Sequence, residues 1–228
     1  TLRMLMRKPT PKHIAIMIGS EPASKSLDTE ELYKRIFSGI HWLMSVQAGM
    51  KIPIITVYLL SSSVKRSEDF SAIIDRMVEF FESLRNNPKV YENKIKVSVL
   101  GKWYDLPGRA IEPIKRMIDE TKDYDSFFLN LCVNYDGREE IVDACRMIGR
   151  RLQAGKLDLE AIDQEAVKDS IYSSYFLPPD LLIKTGKEKK LHGFLLWDAT
   201  EAHVYFAGKS WLRLTEKDIE KAVEEWRG

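Results

Sequence analysis

The chain has 228 residues, 44% of them hydrophobic and 30% charged, with 35 Lys+Arg against 34 Asp+Glu. A chain this long buries roughly 70% of its extended surface on folding, and a net charge of +1 argues against a broadly basic nucleic-acid binder. The same composition excludes disorder, collagen and a disulfide-stapled secreted scaffold.

The two cysteines, Cys132 and Cys145, show no metal-ligand spacing. No apolar stretch approaches the roughly 20 residues of a membrane span. Residues 1–12 mix basic and apolar side chains without the continuous core of a signal peptide. The expectation is a cytoplasmic protein whose only membrane contact is peripheral.

Residues 13–18 form an apolar run closed by Gly19, the pattern of a strand buried on both faces. Residues 20–28 read as a loop. Leu32, Ile36, Ile40, Leu43 and Met44 then recur at helical spacing, with Asp28 or Thr29 as N-cap and Gly49 as the stop. Residues 54–60 are a second strand by their β-branched content. After Ser61-Ser62-Ser63, a helical stripe runs through Phe70, Ile73, Ile74, Met77, Phe80, Phe81 and Leu84 to Asn86-Asn87-Pro88.

Residues 95–100 make a third strand, and Pro107 opens a helix carrying Ile111, Ile114, Met117 and Ile118. A fourth strand at 127–133 precedes a helix with Ile141, Ala144 and Ile148. A fifth strand is expected around 181–183, a sixth at 194–197, and a closing helix at 215–226. This alternation predicts one α/β domain over residues 13–228, a central mostly parallel sheet surrounded by helices. Residues 154–178 read as a crossover with a surface helix.

Open parallel sheets bind ligands beyond the carboxyl ends of their strands. Four segments fall there: Gly19-Ser20, Ser61-Ser62-Ser63, residues 134–138 and Lys184-Thr185-Gly186. Neither a dinucleotide fingerprint nor a nucleotide P-loop is present, and no G-x-S-x-G elbow supports serine hydrolysis. The run from Lys184 to Gly193, with four lysines, reads first as a solvated hairpin and second as a site for phosphate oxygens. Arg35 and Arg66 are further candidate cations. His203, near Asp198 and Glu201, reads either as a metal constellation or as a packed histidine.

Several segments together resemble the cis-prenyltransferase family, whose members include undecaprenyl diphosphate synthase. They are HIAIMIG from His13, LNLCVNYDGREEIVDACR from Leu129, PDLLIKTGKEKKLHGFLLW from Pro179 and VYFAGKSW from Val204. The resemblance implies an α/β fold, commonly dimeric, that condenses isopentenyl diphosphate onto an allylic diphosphate with Mg²⁺. It implies a diphosphate site at Gly19, Arg35, Arg66, Lys184, Lys190 and His192. It makes Asn134, Gly137, Arg138 and Glu140 the counterparts of the family's NY-G-GR-x-E-I region, and it turns the stripe from Phe70 to Leu84 into the wall of a prenyl tunnel.

The departures from the family pattern concern metal handling. The family's M-D-G-N-G-R-W run appears as Met17-Ile18-Gly19-Ser20-Glu21-Pro22-Ala23, so Ile18 stands where an aspartate is usual. Glu21 is acidic but displaced by three positions. His203 stands where a late acidic residue is usual, and magnesium prefers oxygen ligands. Metal ligands are therefore unassigned.

Three functions follow from the resemblance. The first is a catalytically degenerate accessory subunit that needs no cofactor, pairing as a homo-oligomer or with an intact family member. Its dimer contacts would come from late-chain elements at residues 197–211. The terminal Glu225-Trp226-Arg227-Gly228 lacks the family's R-x-G tail, which predicts that such a role is structural or uses another surface. The second is a divergent active synthase using Mg²⁺, with Glu21 as substitute ligand. The third is a binding protein for prenyl diphosphates or other phosphorylated lipids.

Overall fold

The computed structural model describes residues 9–19 and 27–228. Six strands form one wholly parallel sheet in the order β3-β4-β2-β1-β5-β6. They are β1 (His13–Met17), β2 (Ile54–Ser61), β3 (Ile95–Leu100), β4 (Phe127–Tyr135), β5 (Leu181–Lys184) and β6 (His203–Phe206). The expected α/β class with a parallel sheet is observed.

The helices are α1 (Thr29–Met50), α2 (Phe70–Arg85), α3 (Pro88–Glu92), α4 (Gly108–Thr121), α5 (Gly137–Gln153), α6 (Gln164–Lys168) and α7 (Glu216–Trp226). Strand alternation divides the core. Ile14 and Ile16 turn to the side packed by α1, α2, α4 and α7, where Ile40, Met77, Ile114 and Ile219 are buried. Ala15 and Met17 turn to the opposite side, against Tyr135, Phe194 and Leu195.

Local signals fix most boundaries. Asp28 caps α1, its side chain accepting the Glu31 amide at 2.8 Å. That helix passes through Gly49 and ends at Lys51, which adopts φ +55° and donates its amide to Ala48. The left-handed turn crowds the lysine's own Cβ against the backbone, and this is offset by the two bonds it closes, Lys51 N–H to the Ala48 carbonyl and Ile52 N–H to the Gln47 carbonyl. Asn87 caps the short α3 by accepting the Lys89 amide.

The sixth strand is a correction. Residues 194–197 form a turn, and β6 lies at His203–Phe206. Phe194 is apolar because it packs over the sheet, 5.2 Å from the Tyr58 ring and 6.3 Å from that of Tyr135. Leu195 sits at φ +47°, which a strand cannot hold. A short apolar run does not distinguish a strand from a buried turn.

The late-chain aromatics also divide. Trp211 is buried, its indole N–H donating to the Ile36 carbonyl at 2.9 Å. Leu196 and Phe206 are exposed. No helix among the described residues is long and apolar enough to cross a membrane.

Candidate functional site

In a wholly parallel sheet every strand delivers its carboxyl end to the same side. β1 has β2 on one flank and β5 on the other, so the chain reverses its direction of travel across the sheet at β1, the usual place for a ligand crevice. A cavity of about 840 Å³ opens there. Its lining comes from Met17 to Gly19 at the end of β1, Tyr58 and Ser61 on β2, Ser62, Ser63 and Arg66 in the turn after it, Asp136 and Arg138 at the start of α5, Lys184 on β5, and the turn carrying Glu188, Lys190, His192, Gly193 and Leu196.

A second cavity of about 560 Å³ shares Ile18, Gly19, Tyr58, Ser61, Ser63 and Arg66 with the first. Its remaining wall is mainly apolar: Leu32, Tyr33 and Ile36 of α1, Leu59 and Leu60 of β2, Val64 and Ile73. The two cavities abut. One is cationic and the other hydrocarbon-lined.

Lys184 dominates the polar half. It is 1% exposed, and its Nζ donates to the Thr185 carbonyl at 2.7 Å. No carboxylate among the described residues pairs with it, and burial lowers its pKa from the ordinary lysine value. Gly19 lies against it. A β-carbon there would fall 2.2 Å from the Thr185 carbonyl oxygen and 2.5 Å from Lys184 Nζ. The Gly19 amide donates to Thr185 Oγ1 at 3.0 Å. Glycine is thus required by the close crossing of the β1 and β5 ends.

The rim is organised differently. Glu188 holds Lys190 at 3.2 Å and His192 at 3.0 Å, and the His192 contact foremost keeps its carboxyl below the usual glutamate range. Asp136 caps α5 by accepting the amide of Arg138 at 2.8 Å. Arg138 itself forms no ion pair among the described residues, because its acidic neighbours are engaged elsewhere. Glu139 meets Lys102 at 2.6 Å. Glu140 is buried, accepting the Tyr135 hydroxyl at 2.5 Å and the Tyr172 amide at 3.0 Å. Burial raises the Glu140 pKa above the ordinary carboxylate value.

The motif residues therefore build the walls. Tyr135 relays from Glu140 to the turn, accepting the Leu195 amide at 3.2 Å. Asn134 takes φ +50° and donates to the Lys102 carbonyl. A β-carbon on Gly137 would lie 1.9 Å from the Gly193 carbonyl oxygen and 3.1 Å from Leu196 Cβ, so the close approach of α5 and the turn requires glycine at 137.

Some expected site residues are not brought in. The Arg35 Nε pairs with Glu31 Oε1 at 2.7 Å on the exposed side of α1, one helical turn back, and Arg35 lines neither cavity. Of the stripe from Phe70 to Leu84, only Ile73 lines the apolar cavity. Ile74, Met77, Phe81 and Leu84 are fully buried core, and Phe70 packs against that core. Phe80 stacks on Phe37 with ring centroids 5.3 Å apart, sealing the seam between α1 and α2. Beyond Ile73 the stripe packs as core, with Phe80 also bordering a separate cavity of about 180 Å³.

His203 lies at the far end of the sheet. It pairs in register with Leu181, whereas Lys184 pairs with Phe206 at the cavity end. Its Nε2 faces Glu225 at 3.6 Å. Ile18 is half-buried against the core and borders both cavities. Glu21 lies outside the described residues. Tyr58 and Gly193, which line the polar cavity, carried no signal in the sequence beyond their position beside a strand end or in a turn.

Magnesium would need hard oxygen ligands, usually one or two carboxylates with substrate phosphates. Among the described residues the carboxylates facing the cavity are Asp136, engaged in capping, and Glu188, held by Lys190 and His192. No group of three His, Cys, Asp or Glu suited to a metal occurs among the described residues. This donor set does not fit the ion.

The fold and cavity define an α/β protein with a cationic pocket opening onto an apolar one. The family described as "Putative undecaprenyl diphosphate synthase" matches residues 23–228, and the chain belongs to that family of cis-prenyltransferases. It is 29% identical to a tritrans,polycis-undecaprenyl-diphosphate synthase (geranylgeranyl-diphosphate specific) of Picrophilus torridus, over 99% of this chain and 91% of that one. A synthase of the same description from Thermoplasma volcanium is 32% identical over 82% of this chain and 72% of its own. Among solved structures, a lavandulyl diphosphate synthase from Lavandula x intermedia in complex with dimethylallyl diphosphate superposes with TM-score 0.87 and 25% identity, covering 96% of this chain and 95% of the other. A probable undecaprenyl diphosphate synthase from Campylobacter jejuni shares the fold at TM-score 0.74 and 23% identity, with 96% of each chain covered.

Proposed function

We propose that this chain is a catalytically degenerate cis-prenyltransferase that serves as an accessory subunit in polyprenyl diphosphate synthesis. It holds a prenyl diphosphate across its two abutting cavities, with the head group beside Lys184 and the first isoprene units toward Ile36 and Ile73. The observation that supports this reading is the mismatch at the lip of the cavity. Lys184, Arg66, Arg138 and Lys190 gather positive charge, while Ile18 presents hydrocarbon where the family places a carboxylate. Binding chemistry is retained there and cation-organising chemistry is not. Losing even ~4 kcal/mol of transition-state stabilisation slows a reaction roughly a thousandfold.

A second reading is a divergent synthase that elongates by itself. It is favoured by the extent of the match to the Picrophilus torridus synthase, 99% of this chain, and would require Glu21 to stand in for the aspartate. Turnover separates the two. Purified protein is given Mg²⁺, isopentenyl diphosphate and allylic primers from dimethylallyl to geranylgeranyl diphosphate, alone and with an intact family member. We expect product only, or far more product, in the mixture. Sustained turnover by the chain alone overturns the accessory assignment, and primer binding with no effect on the partner leaves a prenyl-diphosphate binding protein.

A further inference from the structure

The polar cavity contains more positive charge than its own acids neutralise. Lys184 is buried there with a carbonyl as its hydrogen-bond acceptor. Arg66 and Arg138 line the same space, and neither has an ion-pair partner among the described residues. Glu188 acts on Lys184 through space without an ion-pair contact, and a buried ammonium with no hydrogen-bonded counter-charge is costly. An anion in the cavity would supply that contact.

The acids point the same way. Glu188 is bridged by Lys190 and His192 at 3.2 and 3.0 Å. Asp136 is fastened to the start of α5 through the Arg138 and Glu139 amides, at 2.8 and 3.4 Å. The N-terminus of α5, a 17-residue helix, adds partial positive charge on that wall. A divalent cation entering here would meet fixed cations and engaged carboxylates.

We propose that this chain takes a diphosphate monoester as the free anion, its countercharge supplied by Lys184, Arg66 and Arg138 rather than by a divalent metal. The proposal rests on reading the cavity as a diphosphate site. It carries a consequence of opposite sign to a metal-organised pocket. Magnesium in solution occupies the same phosphate oxygens that the side chains need, so adding it weakens binding by mass action on the free ligand.

Calorimetry with inorganic pyrophosphate and with dimethylallyl diphosphate tests this, each in EDTA and in millimolar magnesium. We expect binding in EDTA, several-fold weaker binding with magnesium, and loss of most affinity in Lys184→Ala. Lys184→Met, which keeps the buried stem, should lose affinity equally, and thermal melts of both variants show that they remain folded. Ile18→Asp, which places an oxygen ligand beside the cations, should bind more tightly when magnesium is added. A wild-type protein that tightens with magnesium overturns the proposal, and loss of that tightening in Glu21→Ala would identify the carboxylate responsible. Absence of binding in both buffers overturns the proposal and the diphosphate reading together. Turnover by the isolated chain is a separate failure, of the accessory role alone.

Discussion

The two ends of the sheet treat polar side chains in opposite ways. At the amino end His13 is 1% exposed, with Nδ1 at 2.6 Å from the Leu177 carbonyl and Nε2 at 2.7 Å from Thr56 Oγ1. One proton arrangement satisfies the set: Nδ1–H donates to Leu177, the Thr56 hydroxyl donates to Nε2, and Thr56 accepts Asn130 Nδ2 at 3.1 Å. Asp180 meanwhile accepts the amides of Lys12 and His13. At the carboxyl end Lys184, Arg66 and Arg138 have no such closure, and the lining around them includes the left-handed residue His192. The amino end is closed around His13 and Asp180 by the folded chain itself, while Gln47 Oε1 and Asn130 Oδ1 stay buried without a partner among the described residues. On the diphosphate reading proposed above, an anion completes the carboxyl end.

That contrast is broken most forcefully at the cations. Lys184→Ala combined with Arg66→Ala removes two charge-assisted bonds to a diphosphate, about 1.5–3 kcal/mol each. Affinity should fall by about a hundredfold or more. The melting temperature should hold or rise, since an unpaired buried ammonium leaves the fold. Calorimetry paired with thermal melts checks both. A drop in stability without a drop in affinity would place Lys184 with the structural residues.

The seam between α1 and α2 gives the next effect. Phe80→Ala removes a ring 3% exposed that packs on Phe37, at a cost of about 3–5 kcal/mol. Urea unfolding measures that loss. Phe80 lines a smaller cavity of about 180 Å³ together with Phe37 and His41, and removing the ring enlarges it. Longer prenyl diphosphates should therefore gain affinity relative to dimethylallyl diphosphate in this variant. Unchanged relative affinity would mean that the chain leaves the pocket by another route.

At the amino end the expected effect is on stability alone. Burial lowers the His13 pKa from 6.5 to about 4. Above pH 6.5 the ring is neutral in the folded and unfolded states. Between pH 6.5 and 4 the unfolded chain takes up a proton that the folded one refuses, so stability falls as pH falls, by about 3 kcal/mol across the window. Protonation would also turn the Thr56 hydroxyl away from Nε2. Chemical denaturation from pH 7 to 4 should show this component in the wild type and lack it in His13→Gln, with pyrophosphate affinity at pH 7 the same in both.

The sequence carried the strands at 13–18, 54–60, 95–100 and 127–133 because each is a continuous apolar run bounded by turn residues. It also carried Gly19, Arg66, Lys184, Lys190 and His192 into one cavity, because the ends of parallel strands converge wherever the sheet order puts them. Three readings required coordinates. Arg35 follows Glu31 at helical spacing, and that local pair holds it on the surface. The stripe from Phe70 to Leu84 has the periodicity of any buried face, and periodicity does not separate a tunnel wall from a core. His203 occupies a family position, but a position along an alignment carries no depth along a strand. Its register with Leu181 puts it at the wrong end for a shared metal site within one chain.

The smallest expected effect lies at the rim, where the comparison is sharpest because packing plays little part. Glu188 is held at the surface by Lys190 and His192, and its negative charge faces the cavity into which an anion must pass. Glu188→Gln keeps the shape of the side chain, frees Lys190 and His192, and removes that repulsion. Solvent screens exposed charges beyond about 8 Å at physiological salt, so the gain is modest, roughly two- to threefold in diphosphate affinity at low salt. Raising the ionic strength should erase it. In Lys184→Ala, by contrast, the loss should survive high salt, since the missing charge was buried against the ligand rather than displayed around it. Equal salt sensitivity of the two variants would collapse the distinction between the floor of the cavity and its rim, and with it the assignment of Lys184 as the buried contact to the anion.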